Sequence, residues 1–590
     1  MLLATIETTA SGSELASWRP LTMLLFLFGA VLVTLLATSR SEPLLRRIPT
    51  GLERVTHVPG WAAATVGTAL FGLLVAGQGF YSDVAWHVAL GRDDALFTAP
   101  HTAIFLGLQF IFASAAVAVF FATMTRVETR WRIGALRVPV SALPLAALGT
   151  AAVAGFPLDE VWHQAYGIDV TMWSPTHMLM ILGATFTGMA AWLVLAEAGV
   201  PAAGRWGKGI HVAAAALTLQ GLSAPLGEFS FGVPQFQQLF HPVLLCVAAG
   251  FALVVTRIVL GRGWAFGMTL ISFVLLTDSF RSGGTGSDGP VDTRSAGIFV
   301  GSALAVELIA WLLGTERRLR FALVSGAGIG TIGLASEWLW NQGAYQPWRM
   351  SLLPEAIVLG VIGAIAAAVA GVAFVRVFGQ GERIPRSVVA VAGLAVLAVI
   401  LLPMPRSVGD VQAAVSIERV SDELAHLDVV VTPPDAADDA RWFQATAWQG
   451  GGLVLSDFDE VEPGHFRTTD PVPVSERWKT LVRLHRGGEL MTVPVYLPAD
   501  PEIDEPEVPA IDRAGPFESE TTYLLRETHP GDEWLKWVVY GLLVAAAAGW
   551  VVAFTVAVAK LGDRSDDGDG QARARARARR SKTSVTPVAV

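Results

Sequence analysis

Cysteine is almost absent from this sequence. The 590 residues include a single cysteine, Cys246, which lies in an apolar segment. One thiol excludes disulfides within the chain, zinc knuckles and thiolate clusters. Any metal ion bound by this chain must therefore be held by His, carboxylate or Met side chains.

Charged residues are also scarce. They make up 16% of the chain, against about 25% in ordinary soluble domains, while hydrophobic residues make up 53%. This balance excludes a string of cytosolic domains. The sequence also lacks a Walker loop, a nucleophile elbow and a His-Glu-x-x-His motif, so ATP-driven transport by this chain and zincin chemistry find no support. The composition predicts an integral membrane protein.

Thirteen apolar segments predict membrane spans, because about 20 apolar residues cross the hydrocarbon core of a bilayer. The segment at 264–278 is short. The predicted spans are 20–38, 58–80, 100–124, 138–157, 174–197, 208–226, 238–261, 264–278, 295–316, 321–340, 351–375, 387–403 and 535–559.

Basic residues are sorted between alternate loops, which predicts the orientation of the chain. Positively charged short loops stay on the cytoplasmic side. With thirteen spans, the Arg clusters fall on one side, so we expect a multi-pass plasma-membrane protein with its amino terminus outside and its carboxyl terminus in the cytoplasm. The clusters lie near Arg46, Arg130, Arg205, Arg257, Arg317 and Arg383.

The predicted fold class is an all-α polytopic membrane bundle of about 13 transmembrane helices, built from repeated hairpins, with one extracytoplasmic β-sandwich. The predicted parts are the bundle at 1–404, the β-sandwich at 405–497, an extended acidic and Pro-rich tether at 498–533, a last transmembrane helix at 534–560 and a disordered basic tail at 561–590.

These parts also predict partners. We expect the β-sandwich at 405–497 to bind an extracytoplasmic protein. The Arg-Ala repeat in the tail favours contact with anionic lipid beside the bilayer. Nucleic acid is not expected there, because no aromatic residues accompany the basic ones.

A polar motif recurs at identical spacing in the loops predicted to face outward. Its first two copies hold an acid, a His four residues later and a second His eighteen residues after the acid. The third copy has the same spacing with Asn and Glu in place of the two His. The copies are Asp83, His87 and His101; Asp159, His163 and His177; and Glu337, Asn341 and Glu355.

The spacing has a physical meaning. Residues four apart share one face of a helix, so the acid and first His project together from the last turn of a rising helix. The third residue begins the returning helix and can lean back over that turn. One carboxylate and two imidazoles form a ligand set that suits copper, zinc or iron.

Alternative interpretations remain open. Polar residues at helix ends also cap backbone groups or meet lipid headgroups. For Glu337, Asn341 and Glu355, a third site or a proton path competes with a structural role. The same holds for Glu228 and His241, which resemble a worn copy of the repeat, and for Glu307 inside a predicted span.

The Asp-x₃-His-x₁₃-His triplet resembles the copper-site motif of the C subunit of the particulate methane and ammonia monooxygenases, with a spacing one residue longer than the family pattern. The resemblance covers about twenty residues at each of two places. It implies that the six residues of the first two copies ligate copper. The predicted outer domain is loosely similar to immunoglobulin-like modules of copper-handling membrane proteins. This domain has no cysteine at all, so it cannot form a blue-copper centre with a His₂Cys ligand set.

Three functional hypotheses follow. The first is a copper-dependent, monooxygenase-like oxidoreductase acting on a small apolar substrate. The second is a copper transport or assembly protein that hands metal to a partner. The third is a non-catalytic membrane protein whose repeats only build a bundle and whose β-sandwich binds a partner.

Overall fold

The computed structural model describes residues 18–583 except for 39, 93–95, 169–170, 283–291, 293, 380–383 and 402–408. This part of the chain is mostly helical, with one large antiparallel β region near its carboxyl end. Helices and strands are numbered here in chain order. The side chains of the Arg-Ala tail lie outside the described residues, so its predicted contact with anionic lipid stays a prediction.

Sixteen helices precede the β region in the described residues. They are α1 (Arg19–Thr38), α2 (Leu44–Thr56), α3 (Gly60–Leu90), α4 (Ala99–Met124), α5 (Ala142–Tyr166), α6 (Pro175–Thr185), α7 (Thr187–Glu197), α8 (Arg205–Leu222), α9 (Gly227–Ser230), α10 (Phe240–Leu260), α11 (Trp264–Ser282), α12 (Val300–Leu313), α13 (Arg318–Gly328), α14 (Leu334–Asn341), α15 (Leu353–Phe374) and α16 (Arg386–Leu401). A short hairpin of β1 (Trp131–Ile133) and β2 (Leu136–Val138) joins α4 to α5.

Ten helical segments of the described chain are long and apolar enough to cross a membrane. Three shorter apolar helices lie at the positions of the other predicted spans: Trp264–Leu275, Val300–Leu313 and Arg386–Ile400. Length and composition are therefore those of a membrane protein. The number of spans that cross and their orientation stay predictions.

Helices α3 to α6 form two hairpins that pack side by side through α4 and α5. Glycines at these contacts let the backbones approach closely. A Cβ atom on Gly107 of α4 would lie only 2.3 Å from the backbone nitrogen of Ala76 in α3. A Cβ atom on Gly149 of α5 would lie 2.4 Å from Cα of Phe112 in α4. A larger residue at either position would push the two packed helices apart.

The segment Gly328-Ile-Gly-Thr-Ile-Gly333 has the letters of a dinucleotide-binding fingerprint, but its apolar surroundings predict close helix packing instead. The structure confirms this interpretation. A π-helical turn at Ile329–Gly333 links α13 to α14. A Cβ atom on Gly330 would lie 2.5 Å from Cα of Val361 in α15, so the glycine serves helix contact and not phosphate binding.

The β region is a near-closed antiparallel barrel or sandwich, which confirms the prediction of a β domain after the bundle. Strand β6 pairs with β5 through its first half and with β7 through its second, so it joins the two halves. The strands are β3 (Gln412–Arg419), β4 (Leu424–Thr432), β5 (Trp442–Trp448), β6 (Leu453–Glu462), β7 (His465–Thr468), β8 (Val472–Pro473), β9 (Lys479–Arg486), β10 (Glu489–Tyr496), β11 (Arg513–Pro516) and β12 (Glu518–Ser519).

Residues 498–533 contain more regular structure than the predicted tether. Strand β11 pairs with β3, β12 pairs with β10, and the short helix α17 (Glu520–Leu524) follows. The Pro-rich composition predicts an extended chain. It does not predict where that chain binds, which is along edge strands of the β region, because these strands offer unpaired backbone groups. The last helix, α18 (Glu533–Thr583), also continues past the predicted boundary at residue 560.

The β region is seated on the ends of the hairpins that carry the repeated motif. The backbone N–H of Gln449 donates to the carbonyl of Val88 at 3.0 Å, and the N–H of Gly451 donates to the carbonyl of Ala89 at 2.9 Å. Arg441 pairs with Glu355 at 2.9 Å. The free carbonyls at the end of α3 are thus satisfied by the β region.

Candidate metal centre

The first Asp-His-His group forms where α3 ends and α4 begins. Asp83 and His87 lie one turn apart near the end of α3, and His101 lies in the first turn of α4. Nε2 of His101 is 3.0 Å from one oxygen of Asp83, and Nε2 of His87 is 3.8 Å from the other. The hydroxyl of Thr98 caps α4 by accepting the backbone N–H of His101 at 3.4 Å, which fixes where the third residue stands.

The second group repeats this construction where α5 ends and α6 begins. Nε2 of His177 is 3.1 Å from one oxygen of Asp159, and Nε2 of His163 is 3.7 Å from the other. The hydroxyl of Ser174 caps α6 by accepting the backbone N–H of His177 at 3.2 Å. Both copies of the sequence motif therefore fold into the same arrangement.

Each group brings one carboxylate and two imidazoles within ligand distance. Their candidate ligand atoms lie within 4.8 Å of one another, and the described residues contain no other such His, Cys, Asp or Glu group. All six residues are half-buried. The predicted convergence of these side chains is confirmed.

A second hydrogen bond sets the tautomer of the last imidazole in each group. Nδ1 of His101 lies 3.0 Å from the carbonyl of Leu96, and Nδ1 of His177 lies 2.7 Å from the carbonyl of Thr171. Since a carbonyl only accepts, each Nδ1 carries the proton and donates it. Each Nε2 then faces a carboxylate oxygen, and two such acceptors approach closely only with a proton or a cation between them.

The two groups differ in how the carboxylate is supported. The hydroxyl of Thr176 donates to Asp159 at 2.5 Å. The corresponding residue beside His101 is Pro100, which has no donor to offer. The second group is therefore the more fully supported one.

Both groups border one cavity of about 550 Å³ inside the bundle. The ring of Phe156 stands at the cavity wall, 6.5 Å from the ring of His101 and one turn before Asp159 on α5. Trp448, Gln449 and Leu524 of the β region line the same space. The cavity is thus shared by the two groups and lined partly by the β region.

The third copy of the motif is not drawn together. Glu337 accepts the backbone N–H groups of Ile298 and Phe299 at 3.1 and 2.6 Å. Asn341 accepts the backbone N–H of Trp348 at 2.8 Å. The side chain of Glu355 is 59% exposed and pairs with Arg441 of the β region. These contacts are those of a structural role, and the three residues form no ligand group.

Glu228 and His241, the incomplete copy of the repeat, also make structural contacts. Glu228 accepts the indole N–H of Trp173 at 2.7 Å and the backbone N–H groups of residues 235 and 236. Nε2 of His241 lies 2.7 Å from the carbonyl of Ser295, and its Nδ1 accepts the indole N–H of Trp348. Of the two, only Glu228 borders the cavity.

Glu307 forms an ion pair inside the bundle. Its carboxylate accepts from Nε of Arg257 at 2.8 Å and from the backbone N–H of Ala265 at 3.2 Å. The cost of burying the charge is offset by this partner. The pair ties α12 to α10 and α11, away from the cavity.

The residues that sequence reasoning missed are those contributed by the β region. The side chain of Gln449 donates to the carbonyl of His87 at 3.1 Å, although the two residues are 362 positions apart. No local pattern marks such a contact. Phe156 and Gln220, which also line the cavity, lie within ordinary apolar helices and carry no signal of their own.

Comparisons with known proteins identify no relative. No protein family, curated protein or solved structure matches this chain. The resemblance to the copper monooxygenase motif therefore gains no support from outside the motif itself. What is supported is the presence of the two Asp-His-His groups.

Proposed function

We propose that this chain is an integral membrane protein that binds two metal ions, one in each Asp-His-His group. The observation that carries the proposal is the duplicated geometry: two separate stretches of sequence build the same N,N,O set around one cavity. A single group has several structural explanations, whereas repetition of the whole group with matched imidazole tautomers favours a shared ligand.

The donor set fits a borderline divalent cation. Two imidazole nitrogens and one carboxylate oxygen suit copper, zinc or iron, and the three protein ligands leave coordination positions open. The carbonyls of Leu96 and Thr171 hold His101 and His177 in orientation, as supporting partners of metal-bound His commonly do. Copper is the proposed metal, and it would supply one-electron redox chemistry at these sites.

The cavity favours chemistry or ligand binding over simple transport. Pockets that bind organic ligands span about 300–1,000 Å³ and are mostly apolar with a few convergent polar groups, as this cavity of about 550 Å³ is. We propose an oxidoreductase in which the chain holds a substrate beside the two groups and limits its contact with water. A transport or assembly protein needs no apolar cavity of this size.

The test is metal content by elemental analysis, with paramagnetic-resonance spectra, on protein purified from copper-replete cells. We expect two ions per chain in the wild type, one in His87→Ala, one in His163→Ala and none in the double variant. His465→Ala, which changes a histidine in the β region that pairs with Asp428, should keep both. A wild-type protein without metal contradicts the proposal. Oxygen uptake that depends on an added substrate distinguishes oxidation from assembly.

A further inference from the structure

The shared cavity is long as well as large. On α3 its wall runs from Leu73 to Val88, which is about 22 Å along a helix that rises 1.5 Å per residue. Asp83 and His87 stand near one end of this stretch. Below Asp83 the wall continues for about 15 Å to Leu73. On α6 it continues from His177 to Thr185, about 12 Å.

The deep part of the cavity, away from the two Asp-His-His groups, has mostly apolar walls. Its walls include Leu108, Met180, Ala184 and Leu217. The hydroxyl of Thr185 donates to the carbonyl of residue 181 at 2.9 Å.

Among the described residues, the amide in the deep part is that of Gln220, and it is also bonded within the protein. The side-chain oxygen of Gln220 accepts from Ser272 at 3.3 Å. The deep part therefore presents mainly hydrocarbon to whatever occupies it, while the end with the two groups presents imidazoles and carboxylates.

One wall of the cavity reaches the outside of the bundle. Leu74 borders the cavity and is 39% exposed. Gly77, one turn further along α3, also borders the cavity, and a Cβ atom built on it would meet nothing within 4 Å. Apolar molecules dissolved among lipid chains would meet the bundle at this face.

We propose that the cavity binds a single-chain amphiphile, with its polar end at the two Asp-His-His groups and its alkyl chain directed past Gly77 toward Leu73. The inference rests on the proposed metal sites and names the substrate class for them. A depth of 12–15 Å accommodates an alkyl chain of about ten to twelve carbons, since zigzag bonds of about 1.5 Å each advance the chain by about 1.25 Å. A one-carbon or two-carbon substrate would leave most of this space unfilled.

The experiment uses 1-alkylimidazoles as probes, because the ring nitrogen binds a metal ion while the alkyl chain reports the cavity. The full-length protein in lipid nanodiscs is loaded with Cu²⁺, and probe binding is followed by the change in the copper paramagnetic-resonance spectrum. Gly77 lies about 9 Å below Asp83 along the helix. A butyl chain ends above it and a decyl chain passes it.

Gly77→Leu is the blocking variant, and Gly67→Leu is its matched control. Gly67 lies on the same helix, also has open space at its Cβ position and does not border the cavity. We expect Gly77→Leu to weaken 1-decylimidazole about tenfold or more, since each methylene kept from apolar surroundings costs about fourfold in affinity. Binding of 1-butylimidazole should be unchanged in both variants, and Gly67→Leu should bind both probes as the wild type does.

The outcomes separate the two proposals. If Cu²⁺ binds and Gly77→Leu binds each probe as tightly as the wild type does, the amphiphile inference is wrong while the metal sites stand. If the wild type takes up no Cu²⁺, the metal sites and the inference that rests on them fail together. Since both glycine variants share one membrane environment, partition of the probes into lipid cancels from the comparison.

Discussion

The hairpins α3–α4 and α5–α6 each place an acid and two imidazoles beside one cavity. In the third hairpin, α14–α15, the residues at the same three positions make other contacts. Glu337 holds two backbone N–H groups, and Glu355 holds Arg441 of the β region. In the first hairpin, the carboxylate of Asp83 faces the imidazoles of His87 and His101. The difference teaches that the spacing of the motif in the sequence brings its three residues to the same end of a hairpin. The hydrogen-bond donors around the carboxylate then decide whether it stays available to a ligand.

The largest effect is expected where the β region meets the bundle beside these hairpins. Arg483 is fully buried; it donates to both oxygens of Glu520 at 2.9 and 2.8 Å and to the carbonyl of Pro234 at 2.5 Å. Removing one partner of a buried pair costs about 3–5 kcal/mol. Glu520→Gln should therefore lower the free energy of unfolding by this amount, measured by denaturant unfolding in detergent. Glu518→Gln, the same change on an exposed neighbour, should shift it by less than about 0.5 kcal/mol.

The same cluster gives this stability a pH dependence. Burial alone would raise the pKa of Glu520, but Arg483 and His485 outweigh it, so the pKa lies below its usual 4.5. Burial lowers the pKa of His485 below its usual 6.5. In both cases the unfolded chain binds more protons, so stability should fall as the pH drops below about 6.5 and fall further below about 4.5. The deficit of Glu520→Gln should shrink below pH 4.5, and a constant deficit would contradict the assignment.

A direct test of the comparison changes the acid of the third hairpin. In Glu337→Gln one of two buried N–H groups loses its charged acceptor, which costs about 1–3 kcal/mol of stability. The metal content should stay at the wild-type value, since Glu337 belongs to neither ligand group. Glu355→Gln is the exposed counterpart and should be close to neutral in both measurements. Loss of metal in Glu337→Gln would show that the third hairpin participates after all.

The next prediction separates the two ligand groups from each other. Thr176→Val removes the hydroxyl that donates to Asp159. Loss of such a supporting partner typically lowers metal affinity 10–100-fold. A Cu²⁺ titration should show this loss at the second site only. Thr102→Val is the control, because this threonine follows His101 and its hydroxyl has no hydrogen-bond partner among the described residues; equal losses in both variants would refute the supporting role.

Much of the ligand arrangement could be predicted from the sequence because it is local. Asp83 and His87 share a helix face by the geometry of the helix alone, and a short loop returns His101 to the same end. The role of Glu337 could not be predicted in this way. The backbone N–H groups that donate to its carboxylate belong to Ile298 and Phe299, which are 39 and 38 residues away. They come within reach only because α12 packs against α14 and the π-helical turn that precedes it.

The β region shows the same limit. Alternating apolar residues predict its strands, and the residues of its core, such as Val429 and Val482, are buried as that pattern implies. The alternating pattern does not predict that the turn after β5 caps α3. This contact depends on how the surface of the β region fits the surface of the bundle. For the same reason the ordered structure of residues 498–533 escaped a prediction based on composition.

The smallest expected effect concerns this cap. Gln449 adopts a left-handed backbone conformation with φ of 66°, which costs a residue other than glycine about 1 kcal/mol. Its side chain offsets that cost by donating to the carbonyl of His87. Gln449→Ala keeps the strain and loses the hydrogen bond, so stability should fall by about 0.5–1.5 kcal/mol. Gln449→Gly loses the hydrogen bond but also relieves the strain, so it should lie closer to the wild type.

The two substitutions also test whether the β region positions the first ligand group. If the Gln449 side chain holds the end of α3, both variants should weaken Cu²⁺ binding at the first site by a few-fold and leave the second site unchanged. Stability and metal affinity would then separate, because Gly restores the backbone energy without restoring the contact to His87. If the Gly variant regained wild-type affinity together with stability, the cap would act only through folding, and the first site would be positioned by the helices alone.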